Sequence, residues 1–235
     1  MIFRVDLMAN IYYFIIEQDD CPHTFITSQL NGLSIFIMNT MSDGKKRQIT
    51  TTLFSAQKPE DLGVALNLLK SYPGIEDFLI LGKSGNVMSL MYSFPKTSAF
   101  RNVNEAGFRL HPVVVKNGQE KWFFVDTHNA KITNLKKNIM DFNTRVIELR
   151  RVSTQDFLEM YSSMFSKIWV LQNKETLGNY NENILVEAVR SGYYEWPRKT
   201  SISALSGRTG IPASTILYRM RKLEKQIMEN FKETV

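Results

Sequence analysis

The stretch GIPASTILYRMRKLEK, residues Gly210 to Lys225, decides the fold predicted for the C-terminal part of this chain. Glycine tolerates the positive φ values of a tight turn, so Gly210 can end one helix and start another. Beyond the turn, Ile216, Met220, Leu223 and Ile227 repeat at helical spacing and predict a long helix over about 213–231. A short helix, a glycine turn and a longer basic helix form a helix-turn-helix arrangement.

Two shorter helices are predicted before this turn. The first covers 182–191 and stops at Gly192. Its inward-facing side chains are Ile184, Leu185, Ala188 and Val189. The second covers 201–209, capped by Thr200 or Ser201, and buries Ile202 and Leu205. We expect these helices to form a separate all-α domain over 181–235.

Positive charge is concentrated in the same region. The chain has 235 residues and a formal net charge of +6. Between Trp196 and Lys225 the only anion is Glu224, whereas the cations are Arg198, Lys199, Arg208, Arg219, Arg221, Lys222 and Lys225. This segment alone carries the net charge of the protein, so the remaining charges cancel. Such a cluster favours a polyanionic partner.

The predicted second helix of the motif suits the DNA major groove, which is about 12 Å wide. With Ile216 and Met220 buried, the N-terminal turn of the helix points outward. We expect Ser214, Thr215, Leu217 and Tyr218 to face base edges, and Arg219, Arg221, Lys222 and Lys225 to lie near phosphates. Arg198, Lys199, Ser201 and Arg208 complete the predicted DNA-binding set. For Tyr218, packing on a neighbouring side chain is the alternative.

The segment EAVRSGYYEWPRKTSISALSGRTGIPASTILYRMRKLEK resembles the helix-turn-helix of archaeal bacterio-opsin activator (Bat)-type regulators. The matching positions are Gly192, Tyr193, Tyr194, Glu195, Pro197, Arg198, Gly210, Ile211, Ser214 and Thr215. Gly207, Leu217 and Tyr218 depart from the pattern and bear on the DNA sequence recognised. The resemblance implies an archaeal transcription regulator whose N-terminal part senses a signal or assembles the protein.

Strands and helices alternate in a repeating order between residues 11 and 152. The first unit, 1–84, has predicted strands at 12–17, 33–40, 48–55 and 75–81 and helices at 24–31 and 59–72. The second, 85–153, has strands at 87–94, 110–116, 121–126 and 145–152 and helices at 98–106 and 130–142. The predicted fold class is therefore α+β, with tandem ferredoxin-like (βαββαβ) units followed by the helix-turn-helix domain.

A further helix is predicted over 154–171, within a linker region of 154–180. Phe157, Tyr161, Met164, Ile168 and Leu171 form one apolar stripe, which Leu158, Phe165 and Trp169 widen. So broad an apolar face has to be covered by the ferredoxin-like units or by a second copy of the helix. We expect a homodimer on a pseudo-palindromic site, joined through this helix or through sheet pairing.

The first βαββαβ unit resembles ACT-type regulatory domains, beginning at YFIIEQDDCPHTF. In that family the loop after the first strand binds a small molecule, commonly an amino acid. The resemblance assigns a possible effector site to Asp19, Asp20, Cys21, His23 and Thr24, although His23 replaces the glycine of the family pattern. Turn formation is the simpler reading of the two aspartates.

Other functional classes lack their sequence signals. One cysteine and the histidines His23, His111 and His128 show no familiar zinc spacing, so we predict no metal and no cofactor. The chain has no phosphate loop, nucleophile elbow or HExxH motif, which predicts that it is not an enzyme. The apolar run 11–16 is too short to cross a bilayer. Arg4 and Asp6 interrupt any secretory signal, Met8 is an alternative start, and we expect a cytoplasmic protein.

These patterns predict a sequence-specific DNA-binding transcription regulator. The alternative is an ACT-like small-molecule-binding protein whose C-terminal helices serve assembly only.

Overall fold

The computed structural model describes residues 10–104, 107–126, 136–137, 140, 143–172 and 179–232. The chain divides into two compact units, Met1–Leu171 and Gln172–Val235. The N-terminal unit contains β1 (Asn10–Gln18), α1 (Pro22–Gln29), β2 (Ser34–Ser42), β3 (Arg47–Ser55), α2 (Asp61–Ser71), β4 (Glu76–Ser84), β5 (Val87–Pro95), α3 (Ser98–Asn104), β6 (Gly107–Lys116), β7 (Gln119–Asp126), β8 (Thr144–Val152) and α4 (Thr154–Gln172). The C-terminal unit contains α5 (Asn179–Arg190), α6 (Ile202–Thr209) and α7 (Ala213–Lys232).

The described strands form one eight-stranded sheet in the order β4-β5-β3-β2-β6-β7-β1-β8. Every neighbouring pair is antiparallel. The fold is therefore α+β, as the sequence predicts, with the C-terminal helices forming the second unit.

The two self-contained ferredoxin-like units predicted from the sequence are not confirmed, because two strands are exchanged within the sheet. β5 lies between β4 and β3, where a closed first unit would hold β1, and β1 lies between β7 and β8, where a closed second unit would hold β5. The cause is the turn at Gly85 and Asn86. With only two residues joining Ser84 to Val87, β4 and β5 must pair as a hairpin.

At β1 both faces of the sheet are apolar and both are covered. On β1, Tyr12, Phe14 and Ile16 face the core that includes side chains of α1, α2 and α3. The alternate residues Ile11, Tyr13 and Ile15 face the other side, where α4 packs. This two-sided burial explains the nearly continuous apolar run of the first strand, since successive side chains of a strand point to opposite faces.

The predicted apolar stripe of α4 packs against the sheet of its own chain. Phe157 and Tyr161 contact Phe123 edge-on, and Ile168 packs with Phe36 and Leu53. Two of the residues predicted to widen the stripe are exposed instead: Leu158 is 56% exposed and Phe165 is 45% exposed. The side chains of Trp169 and Leu171 lie outside the described residues. Among the described side chains of this helix, Leu158 and Phe165 form an apolar side that the sheet does not cover.

Most predicted elements agree with the structure to within a few residues, with local differences at three helices. α1 begins at Pro22 rather than Thr24, and α2 begins at Asp61, so Pro59 precedes the helix instead of occupying its first turn. Val189, predicted to face inward, is exposed. The helix predicted over 130–142 lies outside the described residues, apart from 136, 137 and 140. Among the described helices, none is long and apolar enough to cross a membrane.

Candidate nucleic-acid interface

The turn between α6 and α7 is built by its local sequence. The Ser201 hydroxyl accepts a 3.2 Å hydrogen bond from the Ala204 amide, which settles the predicted cap on Ser201. Gly210 adopts a left-handed φ of 69° and its amide donates to the Ser206 carbonyl. The Ser206 hydroxyl then donates a 2.7 Å bond to the Ile211 carbonyl. These bonds fix the angle at which the chain leaves α6.

A compact apolar core holds the three helices together. It consists of Ile184, Ala188, Tyr193, Leu205, Ile216 and Met220, with Ile202 and Ile211 packed against it. Ile216 and Met220 are essentially inaccessible, as predicted from their spacing, and Leu223 continues the buried row. At about 2–5 kcal/mol for truncating such a buried aliphatic side chain, this core anchors α7 firmly.

The opposite side of α7 is exposed. Ser214, Tyr218, Arg221 and Lys225 follow one another at intervals of three or four residues and lie on the helix side opposite the buried row. Leu217 and Lys222 are exposed on its flanks, whereas Thr215 and Arg219 are half-buried. Tyr218 is 68% exposed, so it is not packed away against a neighbour.

The remaining predicted DNA-binding residues are also exposed, but several already have partners in the same unit. Lys199 forms an ion pair with Glu195, and Arg208 lies 3.5 Å from the Glu187 carboxylate. The Arg198 guanidinium lies 4.6 Å from the centre of the Tyr193 ring. Exposed pairs of this kind contribute at most about 1 kcal/mol, so a phosphate can compete for these cations.

The GYYEWPR segment, 192–198, links α5 to α6 and contacts α7. Gly192 has a φ of 75°, which favours glycine, and its carbonyl accepts the Lys199 amide. Tyr193 enters the core, while the Tyr194 hydroxyl donates to Glu224. Burial and the Glu224 carboxylate raise the pKa of Tyr194. Trp196 is not among the predicted DNA-binding residues, although its side chain is 96% exposed.

The five residues of the predicted effector loop lie in three different environments. Asp19 and Thr24 line an open surface depression of about 320 Å³ between α1 and the β6–β7 turn. Asp20 turns toward α3, where its carboxylate accepts hydrogen bonds from the Ser98 amide and hydroxyl at 2.7 and 2.8 Å. Cys21 and His23 face inward and are buried.

Cys21 and His23 meet Glu120 of β7 in the interior. The Cys21 thiol donates a 3.0 Å hydrogen bond to Glu120, and its Sγ lies 3.3 Å from His23 Nδ1. Burial and the neighbouring carboxylate raise the pKa of Cys21 well above its usual range. Burial lowers the pKa of His23 to about 3 and raises the pKa of Glu120, although Arg109 opposes the latter shift.

Glu120 was missed because it is distant in sequence, but a signal was present. In QEKWFFVD, residues 119–126, the strand alternation puts Glu120 on the same face as Trp122 and Phe124. Both aromatic side chains are fully buried. A carboxylate on the same strand face as two buried aromatic residues indicates a buried polar site, since ionisable groups are seldom buried without partners.

Two family models match the chain, one in the N-terminal unit and one in the C-terminal unit. Residues 177–229 match the family described as HTH DNA binding domain, which covers α6, the turn and most of α7. Proteins of this family are transcription regulators rather than enzymes. No curated protein matches the chain significantly. Residues 11–141, more than half of the chain, match the family described as HVO_2525_N, N-terminal. The chain therefore belongs to the HVO_2525_N family, and its helix-turn-helix domain makes it a DNA-binding regulator.

Proposed function

We propose that this protein is a sequence-specific transcription regulator of an archaeal cytoplasm, binding double-stranded DNA through the exposed side of α7. The observation that carries the proposal is the division of α7 into two sides. Ile216 and Met220 are buried, whereas Ser214, Tyr218 and Arg221 are exposed on the opposite side, within a matched DNA-binding domain.

The first turn of α7 enters the major groove in this proposal. Ser214 and Thr215 supply hydroxyl groups that can donate to or accept from base edges, and Leu217 can contact a thymine methyl group. Arg219, Arg221, Lys222 and Lys225 follow along the helix and neutralise phosphates. Arg198, Lys199, Ser201 and Arg208 add backbone contacts from the flanking segment and α6.

The active species in this proposal is a homodimer on a pseudo-palindromic site. One helix-turn-helix reads few base pairs, so two copies are needed for a specific site. We assign the contact to the uncovered side of α4, because Leu158 and Phe165 are large apolar side chains, seven residues apart and exposed.

The N-terminal unit senses an effector or assembles the regulator in this proposal, in the manner of ACT-like domains. Support comes from the depression beside the β1–α1 loop, which Asp19 and Thr24 line. A small polar molecule fits its size and lining. Asp20, Cys21 and His23 then support the loop from behind.

A gel-shift titration at several salt concentrations tests the DNA-binding surface. We expect Arg219→Ala with Arg221→Ala to weaken binding to all sequences and to flatten its salt dependence by roughly one unit of slope per lost phosphate contact. Arg190→Ala is the matched control, since Arg190 is exposed at the end of α5 and outside the proposed surface. Unchanged affinity in the double variant would refute the assignment and favour the alternative, in which the helices serve assembly.

A further inference from the structure

Three side chains capable of binding a metal ion converge inside the N-terminal unit. Cys21 precedes α1, His23 lies in its first turn, and Glu120 follows the β6–β7 turn. One potential ligand atom from each lies within 4.8 Å of the other two. The residues come from two distant parts of the sequence, and the antiparallel pairing of β1 with β7 brings them together.

The distances between these atoms suit a tetrahedral ion. Zinc–ligand bonds of about 2.3 Å to sulfur and 2.0–2.2 Å to nitrogen or oxygen put two tetrahedral ligands roughly 3.5 Å apart. Cys21 Sγ is 3.3 Å from His23 Nδ1 and 3.0 Å from Glu120 Oε1. Opening the cluster by a few tenths of an ångström would admit the ion.

The cluster is buried, and the described hydrogen bonds leave part of it unpaired. Cys21, His23 and Glu120 are each at most 2% exposed. Glu120 Oε2 is buried without a hydrogen-bond partner among the described residues. An unpaired buried polar group costs about 1–3 kcal/mol, so the arrangement is expensive unless something else engages it.

The backbone around the cluster is held in place by hydrogen bonds that leave the three side chains available. The Thr24 hydroxyl bonds the carbonyls of Gln18 and Cys21 at 2.5 and 2.9 Å. The Gly118 amide donates to the Thr27 hydroxyl, which ties α1 to the turn before Glu120. Such preorganisation reduces the ordering cost of binding.

Charge balance also favours a dication. Arg109 and Asp20 both interact electrostatically with Glu120. When the thiol proton passes to solvent on metal binding, the thiolate and the two carboxylates supply three negative charges. Arg109 and a divalent ion supply three positive charges. A buried site tolerates charges when they compensate one another in this way.

We propose that Cys21, His23 and Glu120 form a binding site for a divalent transition-metal ion of the zinc type. One thiolate, one imidazole and one carboxylate form a donor set suited to Zn²⁺ and its spectroscopic substitute Co²⁺. Mg²⁺ and Ca²⁺ prefer oxygen donors alone. Three protein ligands leave a fourth tetrahedral position for water or another small ligand. The inference does not depend on DNA binding by the C-terminal unit.

Gln18 lines the surface depression described above, and its side chain also lies beside the Glu120 carboxyl. The cluster therefore lies close to that depression.

Cobalt titration of the full chain, prepared without a histidine tag and stripped by a chelator under reducing conditions, tests the proposal. We expect one Co²⁺ per chain, a near-ultraviolet thiolate-to-cobalt charge-transfer band, and loss of the band on adding Zn²⁺. Because the chain has a single cysteine, the band can come only from Cys21. A folded wild-type chain that binds neither ion, or binds Co²⁺ without this band, would overturn the proposal.

Variants locate the ligands. Cys21→Ser should abolish the band, and Glu120→Gln should weaken binding by more than the roughly 10- to 100-fold cost of losing a partner of a ligand. His111→Gln changes a histidine that lies in β6, outside the cluster, and should keep the wild-type affinity for Co²⁺. Circular dichroism establishes which variants are folded. If no variant folds, the titration of the wild-type chain decides the proposal. If folded His111→Gln lost Co²⁺ affinity as strongly as the Glu120→Gln variant, the assignment of the ligands would be contradicted.

Discussion

The Tyr194 hydroxyl donates a 2.9 Å hydrogen bond to the Glu224 carboxylate, which joins the GYYEWPR segment to α7. Glu224 is the only acidic residue between Trp196 and Lys225. One carboxylate thus stands among the cations of the proposed DNA surface, and a neighbouring tyrosine holds it there.

We expect Glu224→Gln to strengthen binding to random-sequence DNA several-fold at low salt, because it removes a charge that repels phosphates. Tyr194→Phe is the matched control, since it removes the same hydrogen bond without changing charge. That control should lower the free energy of unfolding by about 1 kcal/mol and leave DNA affinity unchanged. Equal affinity changes in both variants would show that the bond, rather than the charge, matters.

Thr215→Ala should change which DNA sequences are preferred while leaving binding to random sequence nearly unaffected. Thr215 lies in the first turn of α7, where a lost base contact costs about 1–3 kcal/mol of discrimination at one position. Selection from a randomised duplex library measures the effect. Ser203→Ala, an exposed position on α6, is the control and should select the wild-type sequences. Identical selected sequences for both variants would exclude a base contact by Thr215.

Leu158→Glu combined with Phe165→Glu should weaken the proposed dimer by at least tenfold, since it puts two charges in an apolar contact. Sedimentation equilibrium provides the dissociation constant. Val64→Glu introduces a charge at an exposed apolar position of α2 and should leave the dimer intact. A dimer that survives the double change would place the contact elsewhere, for example along a sheet edge.

Acid should destabilise the N-terminal unit through His111. Burial and the charge of Arg109 lower the pKa of His111 from 6.5 to about 4. The unfolded chain therefore binds a proton below about pH 6.5, whereas the folded chain does so only below about pH 4. The contribution of His111 to stability is full above pH 6.5 and falls by up to about 3 kcal/mol as the pH drops through this window.

Urea unfolding across this pH range checks the contribution of His111. His111→Gln should show a shallower loss of stability between pH 6.5 and 4 than the wild type. Parallel curves for the two proteins would mean that His111 does not titrate in this way.

The sequence predicted nearly all described elements because their periodicity is local. The buried row of α7, with Ile216 and Met220 four residues apart, follows directly from helical geometry. The order of strands in the sheet could not be obtained in the same way. It depends on which distant strands pair, and here the short turn at Gly85 and Asn86 overrode the repeat of the two units.

The sites show the same contrast. Exposure of Ser214 and Tyr218 follows from their positions on one helix, so sequence alone was sufficient. The partnership of Cys21 with Glu120 spans 99 residues and arises only when β1 and β7 pair. Cys21 and His23 lie two residues apart in the sequence, but no third ligand nearby completed a familiar metal-binding spacing, so the cluster could not be predicted.

The most direct test of the central claim is fluorescence anisotropy of the full chain with a labelled duplex of random sequence over a range of salt. A regulator that uses the cations of α7 should bind with a dissociation constant on the order of micromolar and lose affinity linearly in log–log form as salt rises. Absence of binding at low salt, or an affinity independent of salt, would contradict the account.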